Sequence, residues 1–206
     1  MKLAVFDFDS TLMDGETLEF LARETGIEKQ VKEITDSAMR GEIDFFESLQ
    51  KRVSLLKGLK VETVNQICAN LPVMNGAVET IRELKKMGYK VVCFSGGFKN
   101  ATVPFKEKLG LDCEFSNTLY TKDGILTGFA GGEMMFNDSK GEMLKRLQEI
   151  LGITPENTLV TGDGANDLSM FKYAEKRAAF CAKPILKKHA NIIIDKKDLK
   201  LLLNNI

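Results

Sequence analysis

Two aspartates stand two positions apart at the end of the first apolar run of the sequence. Residues 3–6 have the composition of a parallel strand that is buried on both faces, and Asp7 and Asp9 follow at once. An ionised carboxylate at the end of a buried strand is costly to desolvate unless a cation or strong hydrogen-bond donors meet it. The pair is therefore either functional or part of an ordinary turn, in which Asp9 bonds to its own backbone.

Two more apolar runs end in glycine-rich polar sequences. Ser95-Gly96-Gly97 ends the run that begins at 90, and Gly162-Asp163-Gly164 ends the run at 158–161. Each motif alone is also compatible with an ordinary strand-to-helix loop. In an open parallel sheet, however, ligands bind at the carboxyl ends of the strands. We therefore expect these two ends to converge with Asp7 and Asp9.

The acidic residues at these strand ends have the chemistry of a magnesium site. Asp7, Asp9 and Asp163, with Asp167 nearby, supply the hard oxygen ligands that Mg²⁺ prefers. Asp163 and Asp167 would lie on one helical face, at i and i+4, if a helix begins there. The alternative for Gly162-Asp163-Gly164 is a strand-to-helix turn that is capped by its aspartate.

The remaining polar groups suit an anion such as a phosphate. Gly96 and Gly97 can present backbone N–H groups at a helix N-terminus, and Ser95 adds a hydroxyl donor. Lys140 lies in the first turn of a predicted helix, where the helix dipole disfavours a cation unless an anionic partner is present. Taken alone, Lys140 is also compatible with a surface position.

Together these groups suit phosphoryl transfer to a carboxylate. Asp7 would attack phosphorus, while the cation, Lys140, Ser95 and the Gly96 amide would neutralise charge on the phosphoryl oxygens. Asp9 would act as general acid and then as general base, which requires a pKa above the ordinary aspartate value. Burial and neighbouring carboxylates would raise that pKa.

Composition excludes several classes of protein. The 206 residues, 44% apolar and 28% charged, suit one sizeable domain or a core with an insertion. Zero net charge argues against bulk binding of nucleic acid or anionic membrane. Four scattered cysteines indicate free thiols, and His189, the single histidine, excludes a multi-histidine metal site and is expected on the surface. With no apparent signal sequence or membrane span, we expect a cytoplasmic protein.

The order of predicted elements indicates an α/β fold, a doubly wound parallel sheet. Residues 16–71 show helical periodicity in four segments, which predicts a helical bundle inserted after the first strand. From Gly76 onward, helices and strands alternate. Asp123-Gly124 predicts the turn of a small β-hairpin within 114–129. We therefore predict a core of residues 1–14 and 73–206 and a cap of residues 15–72.

The motifs at 7–12, 95–98, 140 and 162–167 together resemble those of the haloacid dehalogenase-like phosphatases. Within that superfamily the chain resembles the phosphoserine phosphatase family, in motif order and over essentially its whole length. The resemblance implies a Rossmann-like core with a helical cap. Some family members carry an additional regulatory domain, and we expect none here because the chain has no room for it. One departure is Glu175-Lys176-Arg177, which is more highly charged than the small, glycine-containing stretch expected there.

The resemblance also implies roles for individual residues. Asp7 would be the nucleophile and Asp9 the general acid and base. Mg²⁺ would be held by Asp7, the Asp9 carbonyl and Asp163, with Asp167 in support. The phosphate would be bound by Ser95, Gly96, Gly97, Lys140 and Asn166, and the rest of the substrate by Glu16, Met39, Phe45 and Arg52.

For the substrate-contacting residues of the cap, simpler structural interpretations stay open. Glu16 also fits as a first-turn helix acid, and Met39 and Phe45 also fit as core residues of the bundle. In the functional interpretation, Glu16 would pair with an ammonium group and Arg52 with a carboxylate.

The activity implied is hydrolysis of O-phospho-L-serine to L-serine and phosphate, the last step of L-serine biosynthesis. A related small-molecule phosphatase acting on phosphoethanolamine, or a phosphotransferase to homoserine, is the alternative. A more remote alternative is a receiver-like signalling module. Asp9, which is positioned for acid-base work, and the cap both argue against it, because a receiver does not need to enclose a substrate. We expect a monomer or homodimer with a small-molecule substrate and no nucleic-acid or membrane partner.

Overall fold

A seven-stranded sheet forms the centre of the protein, in the order β4-β3-β2-β1-β5-β6-β7. The computed structural model describes residues 1–39 and 42–206, without the side chains at 36, 38 and 39. The strands are β1 (Lys2–Asp7), β2 (Tyr89–Phe98), β3 (Cys113–Lys122), β4 (Ile125–Gly132), β5 (Thr158–Gly162), β6 (Lys176–Phe180) and β7 (Ile192–Ile194). Every pairing is parallel except that of β3 with β4.

Helices follow the strands along the chain. They are α1 (Thr17–Thr25), α2 (Glu28–Met39), α3 (Phe45–Ser54), α4 (Val61–Ala69), α5 (Ala77–Lys86), α6 (Lys99–Leu109), α7 (Ser139–Leu151), α8 (Leu168–Phe171) and α9 (Pro184–Lys187). In the part of the chain that the structure describes, 3₁₀ turns lie at Pro155–Asn157, Ala165–Asp167 and Leu199–Asn205. The predicted α/β class and the doubly wound, mostly parallel sheet are confirmed. Among the described residues, no helix has the length and apolar composition needed to span a membrane.

The central strand β1 is buried on both faces, as its apolar composition predicts. Ala4 and Phe6 belong to one hydrophobic cluster, while Leu3 and Val5 belong to the cluster on the opposite face. Strand β1 pairs with β2 on one side and β5 on the other. The carboxyl ends of these three strands therefore lie side by side, and Asp7 stands in the middle of that edge.

Four helices, α1 to α4, lie between β1 and α5 in the sequence. The chain leaves and re-enters the sheet region through two adjacent segments, because Asp14 N donates to Pro72 O at 3.0 Å and Met74 N donates to Leu12 O at 2.9 Å. Helix α3 begins after Asp44, whose side chain accepts a hydrogen bond from Glu47 N and caps the helix. That residues 15–72 form a separate cap domain stays a prediction.

The predicted hairpin is present, but it does not stand apart from the sheet. Asp123 and Gly124 have φ values of 50° and 77°, as a tight two-residue turn requires. Strand β3 continues the main sheet, and β4 forms its edge. The loop between α3 and α4 covers part of that edge, since Gly58 N donates to Leu126 O and Leu126 N donates to Leu59 O. We refer to helices α1 to α4 and the loop between α3 and α4 as the helical block. This block is thus hydrogen-bonded to the hairpin.

Candidate active site

Asp7 ends β1 with one carboxylate oxygen held and the other free. Its Oδ1 accepts hydrogen bonds from Phe8 N at 2.7 Å and from Lys140 Nζ at 2.5 Å. No described residue donates to Oδ2. Because the first two contacts fix the plane of the carboxylate, Oδ2 is left in a defined position at the cavity.

Lys140 is buried between two aspartates. Its Nζ contacts Asp7 at 2.5 Å and Asp167 Oδ1 at 2.6 Å, and the side chain is only 3% exposed. Burial alone would lower the pKa of Lys140, but Asp167 and Asp7 outweigh it and raise that pKa above its ordinary value. The anionic partner that a lysine in the first turn of a helix needs is therefore supplied by the protein.

Asp167 ties the end of β5 to the turn that follows. Its Oδ2 accepts hydrogen bonds from Asp163 N and Gly164 N, both at 3.0 Å. A 3₁₀ turn at Ala165–Asp167 precedes α8, so no α-helix begins at Asp163 and the two aspartates are not related as i and i+4 of a helix. Asp167 nevertheless faces the same site, because the strand end bends around its carboxylate.

Three carboxylates form a cluster that fits a divalent cation. Asp7, Asp163 and Asp167 each offer one oxygen, and these atoms lie within 4.8 Å of one another. Burial, followed by the charge of Asp167, raises the pKa of Asp7 well above its ordinary value and that of Asp163 to about 6. A divalent cation would favour the ionised carboxylates, so both the oxygen donors and the electrostatics fit the predicted metal.

Asp9 is held by the first residue of α1. Its Oδ1 accepts from Thr17 N at 2.8 Å and from Thr17 Oγ1 at 2.6 Å. Burial raises the pKa of Asp9, and the two bonds from Thr17 only partly oppose that shift. The carboxylate of Asp9 is not in the metal-type cluster, which is compatible with a ligand role for its carbonyl alone. Sequence reasoning missed Thr17, although a threonine directly after Glu16 at a helix start was a visible signal.

The glycines after β2 allow close approach of three side chains. A Cβ atom on Gly97 would lie 3.1 Å from Ser95 Oγ and 3.3 Å from Asp9 Oδ2, and one on Gly96 would lie 3.0 Å from the Phe45 ring. Ser95 is fully buried, and its Oγ accepts a hydrogen bond from Gly97 N at 2.9 Å. Gly96 and Gly97 line the cavity, whereas Ser95 lies beneath them.

Asn117 fastens this turn, and no sequence motif pointed to it. It lies in β3 and is fully buried. Its Nδ2 donates to Gly96 O at 3.0 Å and Met134 O at 3.2 Å, while its Oδ1 accepts from Met134 N at 3.0 Å. One amide thus links the end of β2 to the loop before α7. We regard Asn117 as a positioning residue.

A cavity of about 620 Å³ lies between these groups and residues of helices α1 to α3. Besides Gly96 and Gly97, the predicted site residues that line this cavity together include Asp7, Asp9, Glu16, Phe45, Arg52, Asp163 and Asn166. The volume is that of a small-molecule site. Met39 cannot be assigned, because its side chain lies outside the described residues. Asn137 and Lys183 also line the cavity and were not predicted.

Glu16 and Arg52 face the cavity with few partners. Glu16 Oε1 accepts a hydrogen bond from Ser10 Oγ at 2.9 Å, and Arg52 Nε donates to Ser48 O at 3.3 Å. Burial, with the nearby charge of Asp9, raises the pKa of Glu16 to about 8. Burial lowers the pKa of Arg52, although Glu16 and Asp9 oppose that shift. The charged forms of both groups are therefore only partly compensated by their neighbours.

Comparison with known proteins identifies the family. The family model of the haloacid dehalogenase-like hydrolases matches residues 1–175. The chain belongs to the haloacid dehalogenase-like hydrolases. Among the relatives of this hydrolase, the phosphoserine phosphatase of Wolinella succinogenes is 61% identical over 206 residues, which is all of both chains. That of Methanocaldococcus jannaschii is 52% identical over 205 residues and covers 100% of this chain and 97% of its own.

Solved structures of the same family superpose closely on this hydrolase. A phospho-aspartyl intermediate analogue of phosphoserine phosphatase and a substrate-bound phosphoserine phosphatase complex each have a TM-score of 0.94 and 52% identity. Each match covers 100% of this chain and 98% of the other. The resemblance found in the four motifs is thus confirmed over the full length.

Proposed function

We propose that the protein hydrolyses O-phospho-L-serine to L-serine and phosphate, with a phosphorylated Asp7 as intermediate. One observation carries the proposal: the free oxygen of Asp7 opens into the same cavity as Glu16 and Arg52. The Asp7 carboxylate, which can accept a phosphoryl group, therefore shares a cavity with Glu16, which suits the ammonium group of an amino acid, and with Arg52, which suits its carboxylate. The names of the full-length relatives support the same activity.

The residues divide the reaction into two steps. Asp7 Oδ2 attacks phosphorus, the bond from phosphorus to the serine oxygen breaks, and protonated Asp9 gives its proton to the departing alkoxide. Water then attacks the phosphorus on Asp7 while Asp9 takes a proton from it, which releases phosphate and frees Asp7. Burial favours the protonated form of Asp9 that the first step requires.

Donors at the base of the cavity would bind the phosphoryl oxygens. An ammonium group has three N–H donors, and Asp7 and Asp167 use two of those on Lys140. The third is free for a phosphoryl oxygen. Ser95 accepts a hydrogen bond from Gly97 N, so its own hydroxyl proton can be donated as well. We assign Gly96, Gly97 and Asn166, which line the cavity, to the same phosphate.

Mg²⁺ is the proposed cofactor, held by Asp7, the Asp9 carbonyl and Asp163 with Asp167 in support. The three clustered carboxylates support a hard divalent cation. When bound, Mg²⁺ would neutralise negative charge on the phosphoryl group. The pKa of Asp7 is raised well above its ordinary value, mainly by burial, so the cation would also keep the nucleophile ionised.

Substrate selection is assigned to the helical block. Glu16 would bind the ammonium group of serine and Arg52 its carboxylate, because a planar guanidinium matches a carboxylate in two hydrogen bonds. Phe45 would form an apolar wall next to Gly96. A role for Met39, a cytoplasmic location, a monomeric or homodimeric state and the absence of nucleic-acid or membrane partners stay predictions.

A phosphate-release screen with Mg²⁺ tests the proposal. The panel contains phosphoserine, phosphoethanolamine and simple sugar phosphates, with Asp7→Asn as the inactive variant. Asp14→Asn is the matched control, because Asp14 lies on the same loop but pairs with Lys197 outside the cavity. We expect phosphoserine to be hydrolysed best, Asp14→Asn to be active and Asp7→Asn to release no phosphate.

Two results of the screen would overturn the proposal. Full activity of Asp7→Asn would exclude Asp7 as the nucleophile. Equal activity on phosphoethanolamine and phosphoserine would contradict the assigned substrate. Adding homoserine to the assay separates hydrolysis from phosphoryl transfer, since a transferase would yield phosphohomoserine in place of free phosphate.

A further inference from the structure

A second cavity, of about 350 Å³, lies apart from the active site. Its lining comprises Leu168 and Phe171 of α8, Lys172, Arg177 of β6 and His189. None of these residues lines the active-site cavity. Arg177 belongs to the charged stretch Glu175-Lys176-Arg177, the departure from the family pattern that the proposed reaction does not use.

Arg177 presents an unmet hydrogen-bond donor. Its Nε is buried and has no hydrogen-bond partner. Its backbone is fixed, because Arg177 N donates to Asn191 Oδ1 at 2.8 Å and Arg177 O accepts from Asn191 N at 3.1 Å. A buried donor of a charged group without an acceptor is costly, and Arg177 lines the cavity, so an anion beside its guanidinium would offset part of that cost.

The other two polar side chains that line the cavity, Lys172 and His189, would also accept an anionic partner. Lys172 and His189 make no side-chain hydrogen bond or ion pair with any residue in the described part of the chain. No acidic side chain is among the described lining residues. Leu168 and Phe171 supply an apolar wall. A pocket with an apolar wall and a few convergent donors is typical of a small-ligand site.

We propose that this second cavity binds a small organic anion with a carboxylate on an apolar body. The carboxylate would accept from the Arg177 guanidinium and lie beside the Lys172 ammonium and the His189 imidazole, and the apolar body would pack on Leu168 and Phe171. The site is separate from the phosphate site, so both can be filled at once. The proposal does not depend on the proposed phosphatase activity.

Benzoate is a suitable probe, since it joins one carboxylate to one flat apolar ring. We expect methyl NMR of the full chain to show saturable shifts at Leu168 during a benzoate titration, while Leu49 in the active-site cavity stays unchanged. Saturating inorganic phosphate and Mg²⁺ should not displace the probe. Shifts confined to Leu49, no saturable shift at Leu168, or displacement by phosphate would overturn the proposal.

Substitutions at Arg177 make the test specific. Arg177→Met keeps the aliphatic stem and should weaken benzoate binding by about tenfold or more. Arg146→Met is the matched control, because Arg146 is an exposed arginine of α7 away from the cavity, and it should bind as the wild type does. Unchanged affinity in Arg177→Met would overturn the proposal. Arg177→Lys keeps the charge but loses the planar guanidinium, so it should bind benzoate more weakly than wild type. If Arg177→Met fails to fold, wild-type affinity in Arg177→Lys would overturn the proposal.

Discussion

The two sides of the active-site cavity are held together in different ways. The floor, defined as Asp7, Ser95, Lys140, Asp163 and Asp167, is joined by contacts between distant parts of the chain, such as the Lys140 bonds to Asp7 and Asp167 across 133 and 27 positions. The roof is defined as Glu16, Phe45 and Arg52, and its side-chain hydrogen bonds to other described residues are local. Glu16 bonds to Ser10 six positions away, and Arg52 bonds to Ser48 four positions away.

This difference between floor and roof corresponds to a division of roles, in which the floor carries out phosphoryl transfer and the roof selects the substrate. The floor is preorganised, so its donors need no rearrangement when charge develops on a phosphoryl group. On the roof, burial raises the pKa of Glu16 and lowers that of Arg52, so both charged forms are only partly compensated before substrate binds. A zwitterionic ligand would supply the missing charges. We therefore expect floor substitutions to abolish reaction and roof substitutions to alter substrate preference.

Replacing Lys140 should give the largest effect. Lys140→Met removes the charge between Asp7 and Asp167, and we expect kcat/KM for phosphoserine to fall by about a thousandfold or more. The measurement is steady-state phosphate release. Lys145→Met, an exposed lysine of the same helix, should behave as wild type.

The loss in Lys140→Met must be separated from unfolding, because two buried carboxylates are left unpaired. Circular dichroism and thermal melting report the fold. Lys140→Arg keeps the charge with altered geometry, so it should fold and still be strongly impaired. A folded Lys140→Met or Lys140→Arg enzyme with near-wild-type kcat/KM would contradict the account of the floor.

Replacing Asn117 should give an intermediate effect. Asn117→Ala frees the Gly96 carbonyl and the loop at Met134 without touching substrate, so we expect kcat to fall by about tenfold. Full kinetics on phosphoserine and phosphoethanolamine should show the same factor for both substrates. A changed substrate ratio would mean that Asn117 acts on the roof and not on the floor.

Replacing Glu16 should give the smallest effect, and this effect is a change in the free energy of unfolding. The folded pKa of Glu16 is about 8 against 4.5 for the free group, so the folded state binds more protons between these values. Wild-type stability contributed by Glu16 therefore falls as pH rises from about 4.5 to 8. Glu16→Gln should gain about 1–2 kcal/mol over wild type at pH 8 and little at pH 4.5.

Denaturant unfolding of metal-free protein at both pH values measures this difference. Glu24→Gln, an exposed glutamate of the same helix, is the control and should show no pH-dependent gain. A Glu16→Gln variant that is equally or less stable than wild type at pH 8 would show that Glu16 is not strained by burial.

The sequence predicted that most floor residues would converge because all of them except Lys140, in the first turn of α7, belong to strand-end motifs. Asp7, Ser95 and Asp163 follow apolar runs, and topology alone brings the ends of β1, β2 and β5 together. The order of apolar runs likewise predicted the parallel sheet. What composition could not show is that β3 and β4 extend this sheet, since a hairpin looks the same wherever it pairs.

Residues that position functional groups through hydrogen bonds could not be predicted from the sequence. Thr17 and Asn117 bond to functional groups only through contacts set by the folded chain. Asn117 stands in a strand with no motif around it, so its buried amide gives no sequence signal. Lys183 lines the cavity from the segment before α9, and no sequence motif singled it out.

The division between floor and roof is tested most directly at Arg52. Arg52→Met should lower kcat/KM for phosphoserine by about a hundredfold while leaving that for phosphoethanolamine, which has no carboxylate, within about threefold. Lys51→Met, at an exposed position paired with Glu47, serves as the matched control and should leave both values unchanged. An equal loss on both substrates in Arg52→Met would contradict the account, because Arg52 would then belong to the chemistry and not to the selection of serine.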